Sequence, residues 1–397
     1  MEELDHRSIA NRLNLFHQQD EGPGVVFWHP RGFALYRVIE DYIRRRMRAA
    51  GYREVRSPQL LARSLWENSG HWQKFSDSMF VFEEGERCHA LKPMSCPGHI
   101  QIFKQGTRSW RDLPIRYFEL GLCHRKEPSG ALQGLMRTRA FEQDDAHVFC
   151  LEEQVAAEVA RFCAMLKEIY ADFGFPEVAV GFSTRPEVRA GAEAQWDKAE
   201  ALLEEAAQSA GLDYQVLPGE GAFYGPKLEF ALKDRAGRLW QCGTVQLDLV
   251  MPERLGAHYA DAQGEKGQAV MIHHAVLGSL ERFIGILLEH YGGRLPLWLA
   301  PDQVMVASVT EAQAAYAREV AERLEEAELR VLLDEGPNRL ARKIVSAREL
   351  GVPLFLTVGE REAEQGTVSI RRDEGPHAVL PLEEAVSRIA ADAVVVR

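Results

Sequence analysis

The chain has 397 residues, 46% of them hydrophobic and 27% charged, with a formal net charge of −12, enough apolar material for two or three domains with cores of their own. An acidic balance of this size argues against a protein that coats nucleic acid with its whole surface, although confined basic patches can still hold RNA. No apolar run approaches the roughly 20 residues of a membrane span, no apolar segment follows Met1, and six cysteines without CxxC spacing fit the reduced thiols of a cytoplasmic protein.

In chain order, apolar residues at helical spacing from Pro30 to Ala50, stopped by Gly51, predict a long amphipathic helix. Tyr52 to Leu60 reads as β, with Pro58 suited to an edge or an interface. Between Ile115 and Phe149, two apolar stretches flank Glu127-Pro128-Ser129-Gly130, the pattern of an antiparallel pair joined by a loop. Helical periodicity covers about Leu151 to Phe173, Glu193 to Ala210 and Val276 to Tyr291, and a second hairpin is expected across Phe223 to Val250, turning at Asp234 to Gly237. These elements predict an α+β domain over 1–296, an antiparallel sheet flanked by helices.

After Gly292-Gly293 and Pro296 the pattern changes. Strand Val304 to Val309, helix Glu311 to Glu328, strand Arg330 to Leu333, helix Asn338 to Leu350 and strand Pro353 to Val358 predict a small α/β domain over 297–397 with a largely parallel sheet.

The segment from Arg116 to Cys150 carries the densest chemistry: Arg125, Glu127, Arg137, Phe141, Gln143, Asp145 and His147 lie on or beside the expected hairpin. Arginines on neighbouring strands can grip a polyphosphate bidentately, an aromatic at 141 can stack on a base, and Glu127 can accept from an exocyclic amine. The same residues are equally compatible with the charged solvent face of an ordinary hairpin.

The runs His124-Arg125-Lys126-Glu127-Pro128-Ser129-Gly130, Gly134-Leu135-Met136-Arg137 and Gln143-Asp144-Asp145-Ala146-His147 resemble the second signature motif of threonyl-tRNA synthetases, which are class II aminoacyl-tRNA synthetases. The resemblance extends to Lys92 to His99, Gly219 to Lys227, Trp240 to Asp248 and Gly278 to Leu287, and it thins after about residue 290. It implies a class II catalytic domain followed by an anticodon-binding domain, ATP-dependent activation of threonine, and transfer to the 3′ end of tRNA.

By the same resemblance, Arg125 and Arg137 bind the phosphates of a bent ATP, Arg282 covers its γ-phosphate and adenine, Phe141 stacks on adenine, and Glu127 reads its edge. Gln241 contacts the nucleotide or the reacting carboxylate, Lys227 faces the developing charge, and Mg²⁺ bridges the phosphates. Cys96, His147 and His273 are implied zinc ligands, one ion per chain, with a fourth position open to the amine and hydroxyl of threonine. Taken singly, each of the three reads as well as a buried thiol or a core histidine. Asp145, Tyr224 and Gln246 are implied to hold the amino acid, with Gln143 and Thr244 close by. His71 matches a histidine placed near the terminal ribose of tRNA for proton transfer, although its segment also reads as an exposed loop. Pro58 and the helix before it resemble the first motif, implying a homodimer.

Three departures bear on these expectations. The two N-terminal domains common in the family, one of them for editing, have no counterpart, so a short form without in-chain editing and a separate trans-editing protein are expected. Ala140 and His274 stand where glycine and arginine are usual. In the second domain Glu362 and Arg371 match anticodon readers, but Pro337, Val345 and Gly351 replace polar or charged residues. Two alternatives therefore accompany the main reading: a paralogue that delivers threonine to a specialised tRNA or carrier protein, and a non-catalytic regulatory module.

Overall fold

The structure is a computed structural model, and it describes residues 5–234, 237–372 and 377–394. The chain forms two compact units, one of Gln19–Val25 with Glu40–Ile286, the other of Met1–Gln18, Val26–Ile39 and Leu287–Arg397. The expected helix at the start is present as α1 (Pro30–Ala49).

The larger unit is built on eight strands: β1 (Arg53–Glu54), β2 (Ile115–His124), β3 (Ala140–Cys150), β4 (Val178–Ser183), β5 (Gln215–Leu217), β6 (Lys227–Lys233), β7 (Leu239–Asp248) and β8 (Val270–Ala275). Their spatial order is β5-β4-β6-β7-β8-β3-β2-β1. The interior pairs are antiparallel, as expected, while each outermost pair, β5 with β4 and β1 with β2, is parallel. The β reading of Tyr52 to Leu60 divides: Arg53–Glu54 joins the edge of this sheet, and Leu60–Ala62 belongs to a separate three-stranded one. Pro58, which has no N–H to donate, lies between them. In the second hairpin's expected turn, Arg235 and Ala236 lie outside the described residues, as do the first four residues of the N-terminal stretch.

Register decides which side chains meet. Tyr117 stands opposite His147, His147 opposite His273, His273 opposite Gln246, and Gln246 opposite Lys227, so five strands contribute one row to one face. Period-2 alternation then adds Gln143 and Asp145 along β3 and Thr244 along β7 to that face. The residues between them point the other way. His274 meets Phe162 of the helix α3 (Val155–Asp172) with ring centroids 4.3 Å apart, and its Nε2 is 2.7 Å from Tyr52 Oη.

The helix expected from Val276 begins only at Leu280 (α5, Leu280–Tyr291). The N–H groups of Val276, Leu277 and Gly278 are already bound by the Asp144 carboxylate at 2.7, 2.9 and 2.9 Å, and Gly278 sits at φ +80°, outside helical space.

The second unit contains the sheet β10-β9-β11-β12-β13, formed by β9 (Val304–Ser308), β10 (Val331–Asp334), β11 (Leu354–Val358), β12 (Thr367–Arg372) and β13 (Ala378–Pro381). The three predicted strands are parallel, and two further strands, unforeseen in the sequence, add an antiparallel edge. Val304 and Val306 face one core with Val320 and Leu324, and Met305 and Ala307 face another with Ala347 and Phe355. Among the described residues no helix is long and apolar enough to cross a membrane.

Candidate active site

The short helix α2 (Cys96–Phe103) packs its apolar side on Tyr117, Phe149 and Met271, the same face of the sheet that carries the row of polar residues. Its first residue, Cys96, is thereby brought to His147 and His273, and the ligand atoms of the three lie within 4.8 Å of one another, all buried.

The neighbours of this cluster determine which atoms face it. His99 Nε2 is 3.0 Å from Glu119 Oε2, and His99 Nδ1 is 2.7 Å from His147 Nδ1. A neutral His99 that donates to the carboxylate accepts from His147 Nδ1–H, which leaves the lone pair of His147 Nε2 directed at the cluster. His273 Nε2 donates in the same way to Asp248 Oδ2 at 3.0 Å, leaving Nδ1 free. Asp248 is itself fixed by the N–H groups of Val250 and Met251 at 2.7 and 2.9 Å. Burial drives the His147 pKa well down and the Cys96 thiol well up, so both are neutral without a cation. Two oriented imidazoles, one thiol and a carboxylate-backed outer layer are a donor set suited to zinc.

Neither His99 nor Asp248 was given a role from the sequence, yet the Cys-x-x-His spacing at the start of a helix, which puts residues 96 and 99 on one side, was a usable signal for the first. Glu119 and Lys92 were missed as well. Lys92 Nζ lies 2.7 Å from Glu119 Oε1 and 2.9 Å from Ser57 Oγ, all three buried. Burial alone would raise the Glu119 carboxyl, but hydrogen bonds from His99, Lys92 and Ser57 outweigh it and hold the group at about 2 against an ordinary 4.5. The sign for a depressed acid is that its stabilisation is complete above the ordinary value and is lost as pH falls toward 2. Lys92→Met, which strands the buried carboxylate, is expected to cost about 3–5 kcal/mol in urea unfolding at neutral pH. A change below about 1 kcal/mol would mean that His99 and Ser57 suffice.

Beside the cluster lies a small cavity of about 90 Å³ whose lining includes Cys96, Arg125, Gln143, Asp145, His147, Tyr224, Thr244, Gln246 and His273. Asp145 Oδ1 is 3.5 Å from His147 Nε2, and its Oδ2 accepts from Ser95 N–H at 3.1 Å. The Tyr224 ring stacks on His273 at 4.8 Å, its hydroxyl donates to Gln246 Oε1, and Gln246 Nε2 is 3.4 Å from Thr244 Oγ1. All five expected amino-acid contacts therefore meet in one place.

Arg125, Gln143, Thr244 and Gln246 also line a larger cleft of about 520 Å³, together with Glu127, Arg137, Phe141, Gln241 and Arg282. The Arg125 guanidinium lies over the Phe141 ring at 5.0 Å, and its Nε donates to Pro93 O at 3.2 Å. Glu127 and Arg137 are paired with each other at 2.8 Å. Arg282 stands in the first turn of α5, where Ser279 Oγ accepts its backbone N–H at 3.1 Å, and its buried Nε has no hydrogen-bond partner among the described residues. An oriented, unpaired guanidinium donor in a cleft with two further arginines is arranged for an anion.

Two expected residues, Lys227 and His71, do not line that cleft. Lys227 forms an ion pair with Glu229 at the end of the polar row. His71 is not on an exposed loop: it is fully buried, with Nδ1 2.8 Å from Ser69 Oγ and Nε2 3.8 Å from Cys96 Sγ, packed edge-on against Trp66 and Phe223. Glu362 accepts from Gly359 N–H at 3.0 Å as a cap of the helix Glu360–Gln365, while Arg371 lies on β12. Gly351, where a charged residue was expected, sits at φ +69° just past a helix end, a conformation that glycine adopts without strain.

The sheet, the arginine-lined cleft and the hairpin define the core domain of a class II aminoacyl-tRNA synthetase, and a model of the tRNA synthetase class II core domain (G, H, P, S and T) matches residues 78–291. An anticodon binding domain model matches residues 303–392. The structure is similar to that of the RNA binding domain of threonyl-tRNA synthetase from Cryptosporidium parvum Iowa II, with a TM-score of 0.95 and 39% identity over 98% of both chains. The chain belongs to the threonyl-tRNA synthetase family. It is 55% identical over 394 residues to the threonine–tRNA ligase of Caulobacter vibrioides and 54% identical over 389 residues to that of Rickettsia bellii. These alignments cover 99% and 98% of this chain but 60% and 62% of the relatives, so the chain spans about three fifths of the length of the curated relatives it matches.

Proposed function

We propose that the chain activates threonine with ATP and transfers it to the 3′-terminal adenosine of tRNA. The observation that carries this reading is the continuity between the Cys96–His147–His273 pocket and the arginine-lined cleft, which share Arg125, Gln143, Thr244 and Gln246. An amino acid in the first and ATP in the second have their reacting groups at that shared boundary.

In the activation step a carboxylate oxygen of threonine attacks the α-phosphorus of ATP, the α–β bridging bond breaks, and pyrophosphate leaves with that electron pair. Arg125, Arg137 and Arg282 balance the phosphate charge, Mg²⁺ accompanies the nucleotide, Phe141 offers a face to adenine, and Glu127 and Gln241 offer polar edges. Lys227 stands in the polar row beside Gln246 to balance charge on the reacting carboxylate. Cys96, His147 and His273 would hold one zinc ion, which supplies a Lewis-acid position open to the amine and hydroxyl of threonine. Asp145, Tyr224 and Gln246 orient those same groups, with Gln143 and Thr244 at their side. His71 is assigned to the transfer step on the resemblance alone, because its ring is buried against Cys96.

The same reading makes 1–296 the catalytic domain and 297–397 an anticodon-binding domain in which Glu362 and Arg371 face RNA, in a cytoplasmic homodimer. The test is ATP–pyrophosphate exchange across the amino acids, then charging of total tRNA. Threonine-dependent exchange is expected, and exchange no faster with threonine than with the other amino acids would sink the proposal.

Serine has threonine's amine and hydroxyl and lacks only the methyl group. A missing methyl is worth about 10–200-fold in discrimination. Serine is therefore expected to support exchange with a kcat/KM lower by that factor, and rejection beyond about 10⁴ would require a pocket contact of another kind.

A further inference from the structure

The nucleotide residues Glu127 and Arg137 stand on the loop that joins β2 to β3. One residue at its foot holds it from several sides. Arg139 donates from Nε to the Glu127 carbonyl at 2.9 Å, from Nη2 to Ser129 Oγ at 3.2 Å, and from Nη1 to the Pro23 carbonyl at 3.3 Å. Its backbone N–H donates to Gly24 O at 2.7 Å, and its carbonyl accepts from Arg125 N–H at 2.8 Å. The side chain is thus spent on three oxygens of the loop and of the segment Gln19–Val25, and Arg139 does not line the nucleotide cleft. Gly24, at φ +80°, gives room for this grip, since a Cβ there would lie 2.9 Å from Arg139 Cγ and 3.0 Å from Leu132 Cδ2.

We propose that Arg139 is a positioning residue for ATP: clasped between Gln19–Val25 and the loop, it sets Glu127, and through it Arg137, at the height of the bound nucleotide. The inference rests on the reading of the cleft as an ATP site. A planar guanidinium is required, because a lysine ammonium has no three-way fork to reach the Glu127 carbonyl, Ser129 and Pro23 together.

In exchange assays, Arg139→Ala is expected to raise the KM for ATP by about 10-fold or more, with the KM for threonine within about 2-fold of the unsubstituted chain. Arg139→Lys should restore only part of the loss. Gly24→Ala, which displaces the arginine without removing it, should give the same ATP phenotype, and combining it with Arg139→Ala should add little, as expected of two changes to one contact. An unchanged ATP KM would overturn the proposal. So would a rise in both KM values with a fall in melting temperature, the mark of a general scaffold. ATP affinity measured by calorimetry without amino acid separates this inference from the functional reading. If the unsubstituted chain binds ATP but activates no amino acid, the assigned reaction fails, while a weaker ATP Kd in Arg139→Ala still supports the clasp and an equal Kd still refutes it. If it binds no ATP, both fall.

Discussion

Replacing Cys96 with serine is expected to lower bound zinc from about one ion per chain to less than a tenth of that, and to remove threonine-dependent exchange with it. The two imidazoles would remain in place, because His147 is fixed through His99 and His273 through Asp248. What disappears is the one donor able to become an anion at neutral pH. Buried and uncharged without metal, the Cys96 thiol would release its proton to solvent on binding a cation, whereas a serine hydroxyl would keep its own. The substitution changes volume little, so the fold should survive. Elemental analysis of dialysed protein reads the outcome directly, and near-stoichiometric zinc in the serine variant would show that Cys96 is only a packing residue.

Arg282→Ala should reduce the turnover of activation by about 10³ or more, an effect that saturating threonine does not repair. The guanidinium is fixed at its base by the first turn of α5 and by Ser279, while its Nε has no partner among the described residues. A donor kept buried and unsatisfied costs stability in the empty protein, a cost that is offset only when an anion arrives. Arg282→Lys is expected to recover little, since one ammonium cannot reproduce the planar fork. Turnover within about 10-fold of the unsubstituted chain would place the phosphates elsewhere in the cleft.

Much of this site was legible as chemistry before any geometry was known. The hairpin around residues 115–150 announced itself by two apolar stretches about a turn-rich interruption, and its arginines and Phe141 suggested a polyphosphate and a base. The three parallel strands of the second unit and the two helices between them were also readable, because parallel βα alternation repeats a simple pattern. Pairing between distant segments was not readable. Nothing in the order of residues says that β8 lies between β7 and β3, and only that placement brings His273 to His147. The outer layer was obscured for a related reason: Glu119 and Asp248 act through other residues, and a role that exists only relative to a neighbour leaves no local mark, whereas His99 left one in its spacing from Cys96. His71 illustrates the opposite error, because a glycine before it and polar residues around it resembled a loop, while Trp66, Phe75 and Phe223 enclose it.

The single row formed by Tyr117, His147, His273, Gln246 and Lys227 makes this protein sensitive to chain length in a way that it is not sensitive to composition. A codon inserted or deleted within Val270–Ala275 would slide β8 by one residue and turn His273 toward the helices, presenting His274 or Ile272 to the cluster. No neighbouring substitution could compensate, since the error lies in phase rather than in side-chain size. The turn at Asp261–Gly264, held by its own backbone bonds and exposed, imposes no such phase on anything beyond it. Descendants of this sequence can therefore drift in length at such turns, while the three strands that carry Asp145, Gln246 and His273 must keep their residue count.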